Sequence, residues 1–136
     1  MKALTVHPLY AMGIVTGVKT IEFRTWKTDY RGDILITSNA RKVVGSVPGH
    51  VLGVVKLVDI VPFEKKHLEA AYMDKMEDGY AWILEEPRLI KPIPIKGKLS
   101  LWESGIDYEQ LELLPWPKTD EEDAELYRLY WEPLVI

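Results

Sequence analysis

The chain predicts an α+β fold, a small β-barrel of about five or six strands with helices on its outside. Three observations lead there. The apolar stretches are short, rich in Val, Ile and aromatic residues, and cut at close intervals by Gly, Pro, Asn and Asp. Only two or three segments between them carry helical caps or helical patterning. The size and balance, 136 residues at 47% hydrophobic and 28% charged, suit one domain able to bury a core.

Ala3–Val6 reads as a first strand. Pro8 stands where a helix can begin, and Leu9 to Val15 forms an apolar helix that Gly17 ends. Thr20–Trp26 follows as a strand of β-branched and aromatic residues, Tyr30-Arg31-Gly32-Asp33 has turn chemistry, and Ile34–Ser38 is a buried strand. Asn39–Gly49 is a loop. Val51–Val61 is apolar on both parities apart from Lys56 and Asp59, as a strand inside a sheet should be. Glu64–Met73 reads as a charged amphipathic helix and Gly79–Leu84 as a strand. Pro87, Pro92 and Pro94 predict a stiff extended connection rather than more strand. Lys98–Trp102 is the last strand, and Thr119 with Glu122 three residues on is a capping box that opens a helix through about Tyr130.

Composition excludes several classes. With no cysteine there is no disulfide, thiol nucleophile or thiolate zinc site. No apolar run approaches the ~20 residues of a membrane span, and the N-terminal apolar stretch is too short for a signal peptide. A cytoplasmic protein without a membrane partner is expected. His50 and His67 have no ligand at metal spacing, so no metal site and no cofactor are expected. The net charge of −4 is unevenly spread: residues 1–102 hold 15 Lys and Arg against 11 Asp and Glu, whereas residues 103–136 hold 2 against 10. The chain therefore divides into a mildly basic body, residues 1–103, and an acidic extension, 104–136, whose helix should pack on that same body.

Chemistry concentrates between Gly17 and Arg31. Along a strand, alternate side chains share a face, which groups Thr20, Glu22, Arg24 and Trp26 and leaves Ile21 and Phe23 toward the core. Lys19 reaches the polar side, and Tyr30 and Arg31 close it if the turn folds back. Spacing alone leaves two readings open, a surface ladder with a Glu22–Arg24 ion pair and a ligand site.

The motifs Lys2-Ala3-Leu4-Thr5-Val6-His7-Pro8, Gly17-x-Lys19-x-Ile21-Glu22-x-Arg24-x-Trp26 and Tyr30-Arg31-Gly32-x-Ile34-Leu35-Ile36 together resemble the ASCH domain family. Gly53-Val54-Val55-x-Leu57-Val58-Asp59, Tyr80-Ala81-Trp82-Ile83-Leu84-Glu85-x-Pro87 and Lys96-Gly97-Lys98-Leu99-Ser100-Leu101-Trp102 continue the resemblance, in order, through roughly the first three quarters of the chain. The resemblance implies a PUA-like pseudo-barrel with a helix beside a cleft, and work on RNA. Some members are enzymes, small amidohydrolases of N4-acetylcytidine and ribonucleases among them. It assigns the cleft to Lys19, Glu22 and Arg24. In the amidohydrolases the motif resembles Lys-x-x-Thr, with threonine as nucleophile and lysine as its base. Here Glu22 fills the threonine's place, so that nucleophile does not carry over.

Around this core of the site, Trp26 is the base-stacking candidate, Arg31 a phosphate contact, and Ser38 a donor or acceptor to a base edge. Arg41 and Lys42 are loop cations that either meet phosphate or stand in solvent, and His7 either reaches a ligand or caps the helix. The leading expectation is a module binding RNA, or a nucleobase or nucleoside, through this cleft. The alternative is a hydrolase of modified nucleosides or RNA in which Lys19 is a base and Glu22 orients it. A third reading gives the acidic extension a protein contact, or an intramolecular one across the basic cleft.

Overall fold

The first strand, β1 (Lys2–Val6), lies between two strands from distant parts of the chain, and the sheet is built around it. The computed structural model describes residues Met1 to Ile136. Its other strands are β2 (Ile21–Arg24), β3 (Gly32–Ser38), β4 (His50–Pro62), β5 (Tyr80–Pro94) and β6 (Leu101–Glu103), in the order β2-β5-β4-β3-β1-β6. β1 runs parallel to β3, and the remaining pairs are antiparallel. The sheet curls into a half-barrel, accompanied by α1 (Pro8–Val15), α2 (Leu68–Ala71) and α3 (Asp120–Leu126). No helix is long and apolar enough to cross a membrane.

α1 begins at Pro8, which has no N–H to leave unsatisfied, and the Nδ1 of His7 accepts the N–H of Leu9 at 3.2 Å. It ends as Gly17 turns left-handed at φ 81°. The helix buries Ala11, Ile14 and Val15 against the main core, which takes Leu4 and Val6 from β1, Ile34 and Ile36 from β3, Leu52, Val55 and Leu57 from β4, and Trp82 and Leu84 from β5. Gly53 admits the helix: a Cβ there would stand 2.7 Å from Val15 Cγ1 and 2.5 Å from the Arg88 carbonyl.

The opposite face of the sheet carries its own apolar layers. Ala3, Leu35, Val51, Val54 and Ile90 are covered by Ile106, Leu111 and Trp102, and Ile21 and Ala81 pack with Phe63 and Ala71 beside α2. Asp33 and Arg88 clamp β3 to β5 across β4, with the two Nη groups donating at 3.0 and 2.6 Å. That hydrogen bonding holds the Asp33 carboxyl below its ordinary range.

Besides the last strand, which starts at Leu101 and not at Lys98, three elements depart from the sequence reading. β5 does not stop at Leu84 but runs on through Pro87 and Pro92 to Pro94. β2 pairs with it only from Tyr80 to Ile83, so one edge is open beyond that point and proline can stand there without breaking a ladder. Further along, that edge is strapped, with Lys91 N–H donating to the Glu112 carbonyl and Leu114 N–H to that of Leu89, each at 2.9 Å. The Glu64–Met73 segment is a 3-10 turn, Lys65–His67, followed by the single turn of α2, which Tyr72 stops at φ 57°. In the last helix Thr119 does cap the N–H of Glu122, at 3.1 Å, but Glu122 takes the N–H of Lys118 rather than that of Thr119. The helix then continues past Leu126 as a π turn, Tyr127–Trp131. From the extension Leu126, Trp131, Leu134 and Val135 pack on the main core, and Ile136 exchanges backbone hydrogen bonds with Gly45 and Ser46.

Two glycines separate close packing from helix propensity. Gly53→Ala is expected to lose about 1–3 kcal/mol, because neither the Arg88 backbone nor Val15 can withdraw. Gly13→Ala, inside α1 and 3.4 Å from the nearest atom, is expected to gain about 0.5–1 kcal/mol. Urea denaturation of the two variants measures both, and equal shifts would contradict the packing account.

Candidate functional site

β2 pairs with β5 so that Glu22 stands opposite Trp82 and Arg24 opposite Tyr80, which puts the four side chains on one face. That face is the inner one, since Trp82 is fully buried in the main core. Ile21 and Phe23 point the other way, into the cluster beside α2. The sequence expectation is thus corrected: the polar parity of β2 looks into the barrel and the apolar parity looks out under a helix. Alternation identifies two faces but not which is inside when both are covered.

Lys19 is 3% exposed, and its ammonium is fully engaged. It donates to the carbonyls of Ile21 at 2.6 Å and Ala71 at 2.8 Å, and lies 3.4 Å from Glu22 Oε1. Its backbone N–H donates to the Gly13 carbonyl, so one residue joins α1, β2 and the end of α2. Burial lowers its pKa most; Glu22 works against that shift by charge and hydrogen bond, and Arg24 adds to it. Glu22, 6% exposed, accepts Arg24 Nε at 3.0 Å and Nη2 at 2.9 Å on its other oxygen. Arg24 Nη2 also donates to the Thr5 carbonyl at 2.9 Å.

That last bond spans the barrel. β2 is one end of the strand order, β1 is next to the other, and β6 stops opposite Leu4, one residue short of Thr5. The guanidinium therefore closes by a side chain what no backbone ladder closes. Thr5 is the fixed point of this rim: its Oγ1 accepts Trp102 Nε1 at 3.1 Å and the Lys98 N–H at 3.2 Å. Lys98 lies 5.6 Å from the Trp102 ring, and Lys27 lies 5.5 Å from the ring of Tyr80.

Of the residues singled out from sequence, Lys19, Glu22 and Arg24 form one contiguous charge chain carrying a net positive charge. They do not line an open cleft, because two of the three are buried and only Arg24, at 22% side-chain exposure, reaches solvent. Trp26 stands next to the chain, edge-to-face on Trp82 at 4.8 Å, with its carbonyl accepting the Trp82 indole N–H. It packs on the core instead of offering two free faces. His7 caps α1 and tilts against Tyr10 at 5.1 Å, and the ring of Tyr10 in turn lies 5.1 Å from the Lys19 ammonium. Arg31 turns to its own loop, donating to the Thr28 and Tyr30 carbonyls at 2.7 and 2.8 Å. Ser38 is fully buried, and its hydroxyl is closed on the backbone N–H and carbonyl of His50, so no group is left for a base edge. Arg41 and Lys42 are exposed, and Asn39 builds the turn by accepting the Arg41 N–H. No group of His, Asp and Glu converges as a metal site would require. The acidic extension lies on the barrel flank by Thr16 and Leu89, and its one ion pair is internal, Glu125 with Arg128 at 3.8 Å. No carboxylate of residues 104–136 pairs with Lys19 or Arg24, whose carboxylate partner is Glu22. Thr5, Ala71 and Tyr80 were not foreseen; Tyr80 follows from strand pairing, whereas Thr5 and Ala71 contribute backbone carbonyls, which no residue type announces.

The sequence profile of the ASCH domain matches residues 4–94. The human protein Activating signal cointegrator 1 is 25% identical over 126 residues, covering 73% of this chain and 21% of that protein, so the chain spans about a fifth of that relative. Among solved structures, the ASCH protein of Zymomonas mobilis superposes with a TM-score of 0.55 at 21% identity, covering 94% of each chain. A single-residue mutant of it gives 0.57 at 21% identity, again over 94% of each chain. These structural likenesses concern the fold.

Removing the shared counter-charge tests the charge chain. Glu22→Gln leaves two cations facing each other in the barrel and is expected to cost about 3–5 kcal/mol at neutral pH. The folded-state pKa of Lys19 lies below its unfolded value, and losing Glu22 lowers it further. Between the two values the unfolded chain holds more protons, so stability should rise with pH, and the variant should regain part of its loss in mildly alkaline solution. Urea titrations from neutral to alkaline pH check this; a loss that does not change with pH would refute it.

Proposed function

The chain belongs to the ASCH domain family, and from that premise we propose that it binds RNA at the barrel rim where Arg24 comes to the surface. The observation that carries this reading is the fixing of Arg24. Glu22 holds Nε and Nη2, the Thr5 carbonyl holds Nη2 again, and Nη1 has no partner within the protein. A guanidinium anchored on one edge and open on the other is already oriented for a phosphate or a base acceptor, and loses little freedom on binding.

The rim supplies the rest of a nucleic-acid contact. Lys27 and Lys98 are exposed cations on either side of Arg24, reached through Tyr80 and Thr5 respectively, and each lies by an aromatic ring. Phosphates would meet the lysines, and an unstacked base would meet Arg24 and the neighbouring rings. A free nucleobase or nucleoside would use Arg24 without the lysines. The hydrolase reading has its support in the lowered pKa of Lys19, but the three protons of that ammonium point at Ile21, Ala71 and Glu22. A base needs a face toward substrate, and this one is turned into the fold. Binding is therefore the function the geometry favours.

Fluorescence anisotropy of a labelled single-stranded RNA, titrated over a salt series, tests the proposal. Affinity should fall steadily with salt, and Lys27→Ala and Lys98→Ala should each flatten the logarithmic salt slope by about 1 while leaving the fold intact. Absence of binding at low salt, or unchanged slopes in both variants, would remove RNA from this rim.

A further inference from the structure

The extension carries a second surface whose chemistry is opposite to the rim. Pro115, Trp116, Pro117, Leu126, Leu129 and Tyr130 line a groove of about 320 Å³ on the outer side of α3 and its π turn. Trp116 is 45% exposed and Leu129 49%, although both belong to a segment that docks on the barrel. The groove is walled by carboxylates, Glu122 and Glu125, on the same helix as Asp120, Glu121 and Asp123. Of these five, only Glu125 has a cation beside it, Arg128 at 3.8 Å.

We propose that this groove is a docking site for a basic segment of another protein, one that inserts an apolar side chain over Trp116 between flanking lysines or arginines. Two features of the groove argue for that occupant. The apolar floor is preorganised: a proline stands on each side of Trp116, and the ring is backed by the chain at Gly17, 3.9 Å from where a Cβ would stand there. A fixed aromatic anchor within a ring of polar groups is the arrangement that carries most of the energy at interfaces. The charge settles the sign of the partner, since a helix with five carboxylates and one paired cation beside them repels nucleic acid and attracts Lys and Arg. A second copy of this chain is the less suitable occupant. Its basic rim meeting this acidic groove would make a head-to-tail contact, which calls for a ring or an open chain of copies rather than a closed pair. The proposal does not depend on the RNA reading, because the two surfaces share no residue.

The test uses the full chain and a fluorescein-labelled peptide, Lys-Arg-Leu-Pro-Leu-Arg-Lys, with a control in which each basic residue is replaced by Glu. The basic peptide should bind and weaken with salt, and the acidic control should not bind. Trp116→Ala should weaken binding about tenfold or more, as loss of an aromatic anchor does. Because Trp116 also touches the barrel, Leu129→Ser and Glu125→Gln are measured alongside; they alter the groove at exposed positions and should each weaken binding several-fold without changing the melting temperature. Equal affinity in all three variants would overturn the proposal. So would sedimentation showing that the chain self-associates through the groove and that the peptide merely disperses it.

Discussion

Two cations brought into the end of a barrel require a counter-charge, and Glu22 meets both of them, one on each oxygen. The consequences run outward along the elements they hold. Through Lys19 the pair ties the loop after α1 to the start of β2 and to the last carbonyls of α2. Through Arg24 it ties β2 to β1 and so joins the two sides of the curled sheet. An apolar closure of the same volume would serve stability as well or better. What charges add is direction: a guanidinium satisfied on one edge leaves the other aimed outward at a fixed angle. The same three residues thus account for the contact across the barrel and for the cation that reaches its surface.

The rim and the extension divide the surface by sign. On the body, Lys27 and Lys98 lie by the half-buried rings of Tyr80 and Trp102, while most acidic residues of the extension stand on a helix that docks by Leu126, Trp131, Leu134 and Val135. The helix is held by apolar burial, so its carboxylates are not consumed in holding it. Attraction between a basic body and an acidic tail was a reasonable expectation from composition, but residues 104–136 settle on the barrel without using it.

Much of the fold was legible because local rules and tertiary packing agree. Pro8 and Gly17 bracket α1, the double-sided apolar run of β4 marks an interior strand, and Thr119 caps α3. The misreadings have a common cause: they hinge on what lies beside an element rather than on the element itself. Pro87 and Pro92 look like strand breakers until the open edge of β5 is known. Ile21 and Phe23 look like core residues, and are, but of the cluster under α2 rather than of the barrel. Within the site, the charged trio was legible from its density on one short strand. The spent hydroxyl of Ser38, the loop contacts of the exposed Arg31 and the packed ring of Trp26 were not, because their partners are backbone groups or residues far along the chain.

The place of β1 has a further consequence for how the chain is made. β1, which leaves the ribosome well ahead of β6, pairs Ala3 with Leu35 on one side and with Trp102 on the other, and β6 is only three residues long. Its second edge thus stays unpaired until β6 has been made, with the closure entropy of a loop of about a hundred residues still to be met. During that interval Thr5 has neither Trp102 nor Lys98 to hold its hydroxyl. An early strand of the sheet is thus among the last to be enclosed, and the nascent chain must keep an apolar edge from foreign strands until β6 emerges.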